Sequence, residues 1–328
     1  MRVRPGRGSR PRTRRRPAHE DAAEAFVAAV DRGRYTCVPS DPGAADRDIT
    51  AMKARELGRR SVVVGDTVRL AGDVSGAPGT LARIVRVAPR RSVLRRSADD
   101  TDPVERVIVA NADQLGIVTA LADPPPRPRL IDRFLVAAYD AGLDPLLCLT
   151  KSDLARPDGI LALYAPLGVR YLVTGRPLTE TVLDGLRALL ADRISILVGH
   201  SGVGKSTLVN ALIPEAGRAV GTVSPVTGRG RHTSSSVVAL RLHGGGWIID
   251  TPGLRSFGLG HIAPDRVVAA FPDLAEGVSG CPPACSHLEA DCALDEWVAE
   301  HDDASGALAA RLDSLRRLLR SREGDDDS

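Results

Sequence analysis

Lysine is nearly absent from this chain. Its 328 residues include three, Lys53, Lys151 and Lys205, against forty-one arginines. An ammonium is a compact point charge and a guanidinium a planar fork, so the two are not interchangeable at a phosphate. Where a chain uses arginine almost everywhere, a retained lysine marks a site that needs the compact charge. Aromatic residues are also scarce, at 3%, which argues against nucleic-acid recognition dominated by base stacking. No apolar run reaches the ~18 residues of a membrane-spanning helix, and the N-terminus has positive charge without the apolar segment of a secretion signal. A cytoplasmic protein with no membrane partner is expected. Five cysteines are an odd number, which speaks against a disulfide framework. Acidic residues are missing from Arg2 to Arg16, where eight arginines fall, whereas the chain closes on Asp325-Asp326-Asp327.

Against these absences stands one dense motif. Gly199-His200-Ser201-Gly202-Val203-Gly204-Lys205-Ser206-Thr207 fits the phosphate-loop template, with the apolar run Ile194–Val198 before it and Leu208–Leu212 after it. The first run reads as a buried strand and the second as the start of a helix. Glycines let backbone N–H groups wrap a phosphate, and the helix start adds its positive end. Lys205 is expected to reach the β- and γ-phosphates and the Ser206 hydroxyl to coordinate Mg²⁺.

Upstream, the strand Pro145–Leu149 runs into Thr150-Lys151-Ser152-Asp153. This resembles the guanine-reading [N/T]-K-x-D motif: an Asp carboxylate can accept from both the N1–H and the exocyclic amine of guanine, a donor pair that adenine lacks. Alone, the four residues read equally as a capped helix start. Tyr171-Leu172-Val173-Thr174-Gly175 sits where a backbone N–H to the guanine carbonyl is expected. Downstream, Gly228-Arg229-Gly230-Arg231-His232-Thr233 can order around a γ-phosphate and Mg²⁺ through Thr233. Trp247-Ile248-Ile249-Asp250-Thr251-Pro252-Gly253 ends a strand in D-x-x-G, with Asp250 behind Mg²⁺ and the Gly253 N–H at the γ-phosphate.

The N-terminal third is different in kind. Residues 1–34 are expected to be a basic arm able to neutralise nucleic-acid phosphates, with a short helix near Asp21–Val30. From Arg34 to Arg106 short alternating runs and turn clusters point to a small β-barrel, an OB-fold first. Arg90, Arg91, Arg95 and Arg96 crowd one exit and suggest phosphate contact. Residues 106–256 alternate strands and helices, including an amphipathic helix through Leu130, Ile131, Phe134, Leu135 and Ala138, and predict a mainly parallel α/β sheet. In residues 257–328, Cys281-x₃-Cys285-x-His287-x₄-Cys292 offers three thiolates and an imidazole, the complement of a closed tetrahedral Zn²⁺ site. A helix from Ala304 to Arg320 with Leu308, Leu312, Leu315 and Leu319 on one face could pack on that unit or touch RNA.

The motif order is guanine, phosphate loop, switch threonine, D-x-P-G, whereas ordinary GTPases place the guanine motif last. On this order, together with Arg106–Gln114, the Gly228–Thr233 segment and the Cys/His cluster, the chain resembles the circularly permuted ribosome-assembly GTPases of the RsgA (YjeQ) family over about residues 35–295. The resemblance implies an OB-fold, a permuted GTPase core and a zinc domain. It also implies GTP hydrolysis coupled to late maturation of the small ribosomal subunit, with that subunit, its rRNA and GTP/GDP as partners of a monomeric protein. Departures are Thr150 for the commoner Asn, a guanine-carbonyl loop without Ser-Ala, and Cys/His gaps one residue shorter on each side. Leu254 stands where many GTPases place a water-orienting Gln. That predicts intrinsic hydrolysis on the order of 10⁻⁴ s⁻¹, with His232 as the candidate to orient water on the ribosome. An ATP-using phosphoryl-transfer enzyme and an RNA-binding scaffold with an inert nucleotide site remain the alternative readings.

Overall fold

The computed structural model describes residues 22–41, 43, 47–58, 61–96, 106–214, 237–251, 262–302 and 306–323. The first five strands, β1 (Ala23–Asp31), β2 (Arg34–Pro39), β3 (Ile49–Lys53), β4 (Thr67–Gly72) and β5 (Ala82–Val87), close into a barrel in the order β1-β2-β3-β5-β4-β1. All its pairings are antiparallel except β3 with β5, which is the strand order of an OB-fold. Small and branched side chains, among them Ala25, Val27, Ala51, Val68, Ala82 and Ile84, fill its narrow interior.

The barrel begins earlier than the sequence suggests. The stretch expected to be a helix inside a basic arm is β1, paired with both β2 and β4. Ala23–Val30 is alanine-rich and so favours a helix locally, but Arg32 (φ 45°) and Gly33 (φ 82°) form a two-residue hairpin turn with both central φ values positive. That turn type returns a strand directly onto its partner, and burial of Ala25 and Val27 overrides the local preference.

Two of the four arginines expected to crowd a free basic exit are engaged within the fold. Arg90 makes a two-point ion pair with the fully buried Asp66 (2.7 and 2.9 Å), and Arg91 bonds Asp113 (3.0 Å) and the Asn111 carbonyl (3.2 Å). The run at Val107–Ala110 lies in β7 (Arg106–Ala110), which pairs with β6 (Val93–Arg96) in a separate two-stranded ribbon rather than in the parallel sheet.

The parallel sheet starts at β8 (Gln114–Ala120), continuing with β9 (Asp144–Thr150), β10 (Arg170–Val173), β11 (Ile194–Val198), β12 (Val238–Arg241) and β13 (Trp247–Asp250). Its order is β10-β9-β8-β11-β13-β12, with β12 alone antiparallel. Helices cover both faces. Phe134 and Leu135 of α1 (Pro128–Asp140) enter the main core, as does Ile160 of α2 (Asp158–Tyr164). Leu186 and Leu190 of α3 (Glu180–Leu190) and Leu208 and Leu212 of α4 (Lys205–Leu212) form a second core on the other face. The chain ends in α5 (Pro264–Val268), α6 (Ala275–Val278), α7 (Ala293–His301) and α8 (Ala307–Glu323).

The last helix packs on the body of the protein. Leu312, Leu315, Leu318 and Leu319 are buried in the main core, and three arginines fasten it. Arg311 grips Asp273 (2.7 and 2.8 Å), Arg316 grips Asp295 (2.7 Å) and the His287 carbonyl (3.0 Å), and Arg317 reaches Asp132 (3.0 Å) across the Tyr164 ring. Asp132 sits on α1 with its side chain 1% exposed, and the Arg317 guanidinium opposes the upward pull of burial on its pKa. Among the described residues no helix is long and apolar enough to cross a membrane.

A candidate nucleotide pocket and a Cys/His cluster

The phosphate-loop motif lies where its composition requires. β11, at the middle of the parallel sheet, runs through buried Ile196, Leu197 and Val198 into Gly199, and the loop ends at Gly204, which caps α4 with φ +98°. At Gly199 a Cβ would stand 2.2 Å from the Val118 carbonyl oxygen of the neighbouring strand, so only glycine fits that turn. The Lys205 ammonium folds back over its own loop, donating to the carbonyls of Gly199 and His200. Burial pushes the Lys205 pKa down, and the Asp250 carboxylate opposes that shift. Asp250 is pushed up by burial and pulled back by Lys205 and by the Thr251 N–H. An ammonium and a carboxylate that sense each other at the carboxyl ends of β11 and β13 can jointly serve a phosphate and a hard cation. Thr251 fixes the end of β13 by donating its hydroxyl to the Leu197 carbonyl (3.0 Å).

The second motif is brought onto the first. The buried Thr150 hydroxyl, at the end of β9, donates to the carbonyl of Val203 in the phosphate loop at 2.6 Å, across fifty-three positions of sequence. Thr150 also faces Gly204, where a Cβ would meet its methyl and hydroxyl at 3.6 Å. One pocket is lined by Thr150, Lys151, Gly175 and Arg176 on one side and by Gly204 and Thr207 on the other. Lys151 takes a positive φ of 60° and donates its ammonium to the Asp123 carbonyl.

The loop after β10 completes this end of the pocket. Ser152 N donates to the Thr174 carbonyl (3.0 Å), and Arg176 N donates to the Asp153 carboxylate (2.9 Å). A Cβ on Gly175 would stand 2.8 Å from the Ser152 hydroxyl. The Asp153 carboxylate is thereby oriented by a backbone N–H. The sequence points to Tyr171–Gly175 for this loop and not to Arg176, whose contribution is a main-chain N–H and leaves no mark in residue type. Pro124 and Pro125, ahead of α1, line a cleft beside Gly199 and His200. His232, Thr233, Gly253 and Leu254 lie outside the described residues.

The four metal-type residues do converge. The ligand atoms of Cys281, Cys285, His287 and Cys292 all lie within 4.8 Å of one another and could hold a metal ion. Cys281 Sγ is 3.6 Å from His287 Nδ1 and 3.7 Å from Cys292 Sγ, and Cys292 Sγ is 3.7 Å from His287 Nδ1. Positive φ values at Ala284 (62°) and His287 (61°) turn the short segment back on itself, which is how gaps shorter than the resemblance implied still close.

Replacing Thr150 by Val should remove the tie between the two loops and leave the Val203 carbonyl unpaired, a loss of about 1–2 kcal/mol. Nucleotide affinity measured by calorimetry should fall roughly tenfold, and Thr150→Ser should restore it. Equal affinity in Thr150→Val would show that the bond does not organise the pocket.

Comparison with known proteins agrees with this geometry. The family model for the RsgA GTPase matches residues 87–260. Curated proteins described as "Small ribosomal subunit biogenesis GTPase RsgA" are similar over most of the chain. The one from Chromohalobacter salexigens is 39% identical over 79% of this chain and 74% of its own length, and one from Pseudomonas aeruginosa is 40% identical over 73% and 70%. The Gemmatimonas aurantiaca protein is 39% identical over 78% and 84%. Among solved structures, YjeQ from Thermotoga maritima shares the fold with a TM-score of 0.66 at 24% identity, over 92% of this chain and 99% of that one. YloQ, described as a circularly permuted GTPase, also gives 0.66 at 23% identity, over 95% and 98%. With the base-type loop ahead of the phosphate loop and both lining one pocket, the chain belongs to the RsgA GTPase family.

Proposed function

We propose that this protein hydrolyses GTP in the late maturation of the small ribosomal subunit, that it binds that subunit through its rRNA, and that the subunit stimulates hydrolysis. The observation that carries the reading is the Thr150–Val203 hydrogen bond, which sets a base-reading loop and a phosphate loop at one pocket. Asp153 reads the guanine N1–H and amine, with the Gly175 N–H toward the guanine carbonyl. The N–H groups of residues 199–207 cradle the phosphates, and Lys205 neutralises the charge that develops between the β- and γ-phosphates. The oxygen donors Ser206, Asp250 and Thr233 suit Mg²⁺, which prefers few protein ligands and keeps substrate oxygens and water. When bound, that ion supplies charge neutralisation across the β- and γ-phosphates. Gly253 contacts the γ-phosphate, and His232 orients the attacking water in the ribosomal complex.

The Cys/His cluster fits structural zinc. Tetrahedral Zn²⁺ with bonds of about 2.3 Å to sulfur and 2.0–2.1 Å to nitrogen requires ligand atoms about 3.5–3.8 Å apart, and the three separations above fall in that span. Arg316, bonded to the His287 carbonyl and to Asp295 at the start of α7, ties this loop to α8. The purified chain should contain one equivalent of zinc. Cys292→Ala should lose it and lower Tm by several degrees; a zinc-free protein of unchanged Tm would contradict the assignment.

The functional test is phosphate release with and without purified small subunits. Hydrolysis should rise by orders of magnitude on their addition and vanish in Lys205→Ala. Absence of stimulation at saturating subunits would overturn the ribosomal reading.

A further inference from the structure

A row of paired residues runs from the barrel into the nucleotide site. Ala29 of β1 pairs with Val238 of β12, Val238 with Asp250 of β13, and Asp250 with Leu197 of β11, two residues before Gly199. Neighbouring strands lie about 4.8 Å apart, so Asp250 is two rungs, about 10 Å, from the barrel backbone. At the other end of β13 the Trp247 ring stacks on Phe26 of β1, with centroids 4.5 Å apart and planes 26° apart. The chain has only ten aromatic residues, and two of them are placed face to face on this seam. β12 and β13 are four residues each. On the side of β12 away from β13, the described pairing is Ala29 with Val238. β13 is paired along its length with β11, whereas β12 has β1 as its described neighbour on the outer side, so the seat against β1 sets how the outer half of this short hairpin lies.

We propose that Phe26 is a positioning residue for GTP hydrolysis. Through the Phe26–Trp247 stack and the Ala29–Val238 pair, the barrel acts with β11, on the other side of β13, to hold the β12–β13 hairpin in the place that presents Asp250 to the Mg²⁺-nucleotide. The inference rests on the assignment of Asp250 to Mg²⁺ made above. The coupling is reciprocal: a partner that shifts the barrel alters Mg²⁺-nucleotide affinity, and Mg²⁺-nucleotide alters affinity for that partner by the same factor. An offset aromatic pair corresponds to about a two- to tenfold change in an equilibrium constant.

The test uses the full chain with Trp297→Phe, which leaves Trp247 as its one tryptophan. Affinities for GDP and a non-hydrolysable GTP analogue are measured with saturating Mg²⁺ and in EDTA, alongside Trp247 emission. The parent should bind more tightly with Mg²⁺. Phe26→Leu should keep its affinity in EDTA, lose about two- to tenfold of the Mg²⁺-dependent gain, and lose the emission response to Mg²⁺; Phe26→Tyr should restore both. An undiminished Mg²⁺ gain in Phe26→Leu overturns the proposal, as does an equal loss of affinity in EDTA that Tyr fails to rescue. Asp250→Asn separates the two assignments. If it leaves the parent's Mg²⁺ gain intact, the metal role of Asp250 has failed rather than the seam.

Discussion

One hydroxyl joins the two loops of the candidate nucleotide site. Thr150 ends one parallel strand and Val203 belongs to the loop that leaves another, and the bond between them places the two recognition loops side by side. Its geometry depends on the strand order. β9 and β11 are separated by one strand, β8, so their carboxyl ends open on the same edge of the sheet, where ligands of open α/β sheets bind. The order of these strands in the chain is immaterial to that edge. A permuted connectivity therefore preserves the site and changes only the direction in which the chain leaves it: β13, with Asp250 at its tip, leads toward the C-terminal helices instead of deeper into the nucleotide domain.

Around this pocket the protein is fastened by arginine. Arg90 neutralises buried Asp66 within the barrel, Arg91 bonds Asp113 just ahead of β8, and Arg311, Arg316 and Arg317 lash α8 to Asp273, Asp295 and Asp132. Most of these arginines grip a carboxylate at two points, a planar fork that an ammonium does not offer, and engage a further carbonyl as well. Two of the three lysines, Lys151 and Lys205, stand in the two loops, and their contacts are carbonyl oxygens there. Arginine forks thus fasten the architecture, while two of the few ammonium groups lie in the two loops of the candidate site.

What was legible in the sequence was local. The phosphate loop, Thr150–Asp153 and the Cys/His cluster are fixed by residue type at short spacing, and the structure brings each together in place. The barrel was legible from turn clusters and alternation, but β1 was not, because its alanines favour a helix until the Arg32–Gly33 turn and the barrel interior decide otherwise. The fates of Arg90 and Arg317 were hidden because their partners lie 24 and 185 positions away. Arg176 was hidden because a backbone N–H does its work. The leucine face of α8 was visible, but whether it met protein or RNA was settled by the acidic partners waiting on α1, α7 and the segment before α6.

The account stands or falls on guanine sitting at Asp153 while its phosphates lie at Lys205. Asp153→Asn exchanges an acceptor for a donor at the base edge. Competition against bound fluorescent GDP should then show affinity for guanine nucleotides falling and that for xanthine nucleotides rising, with the preference reversed. Retention of the guanine preference in Asp153→Asn would mean that the two loops do not share one nucleotide.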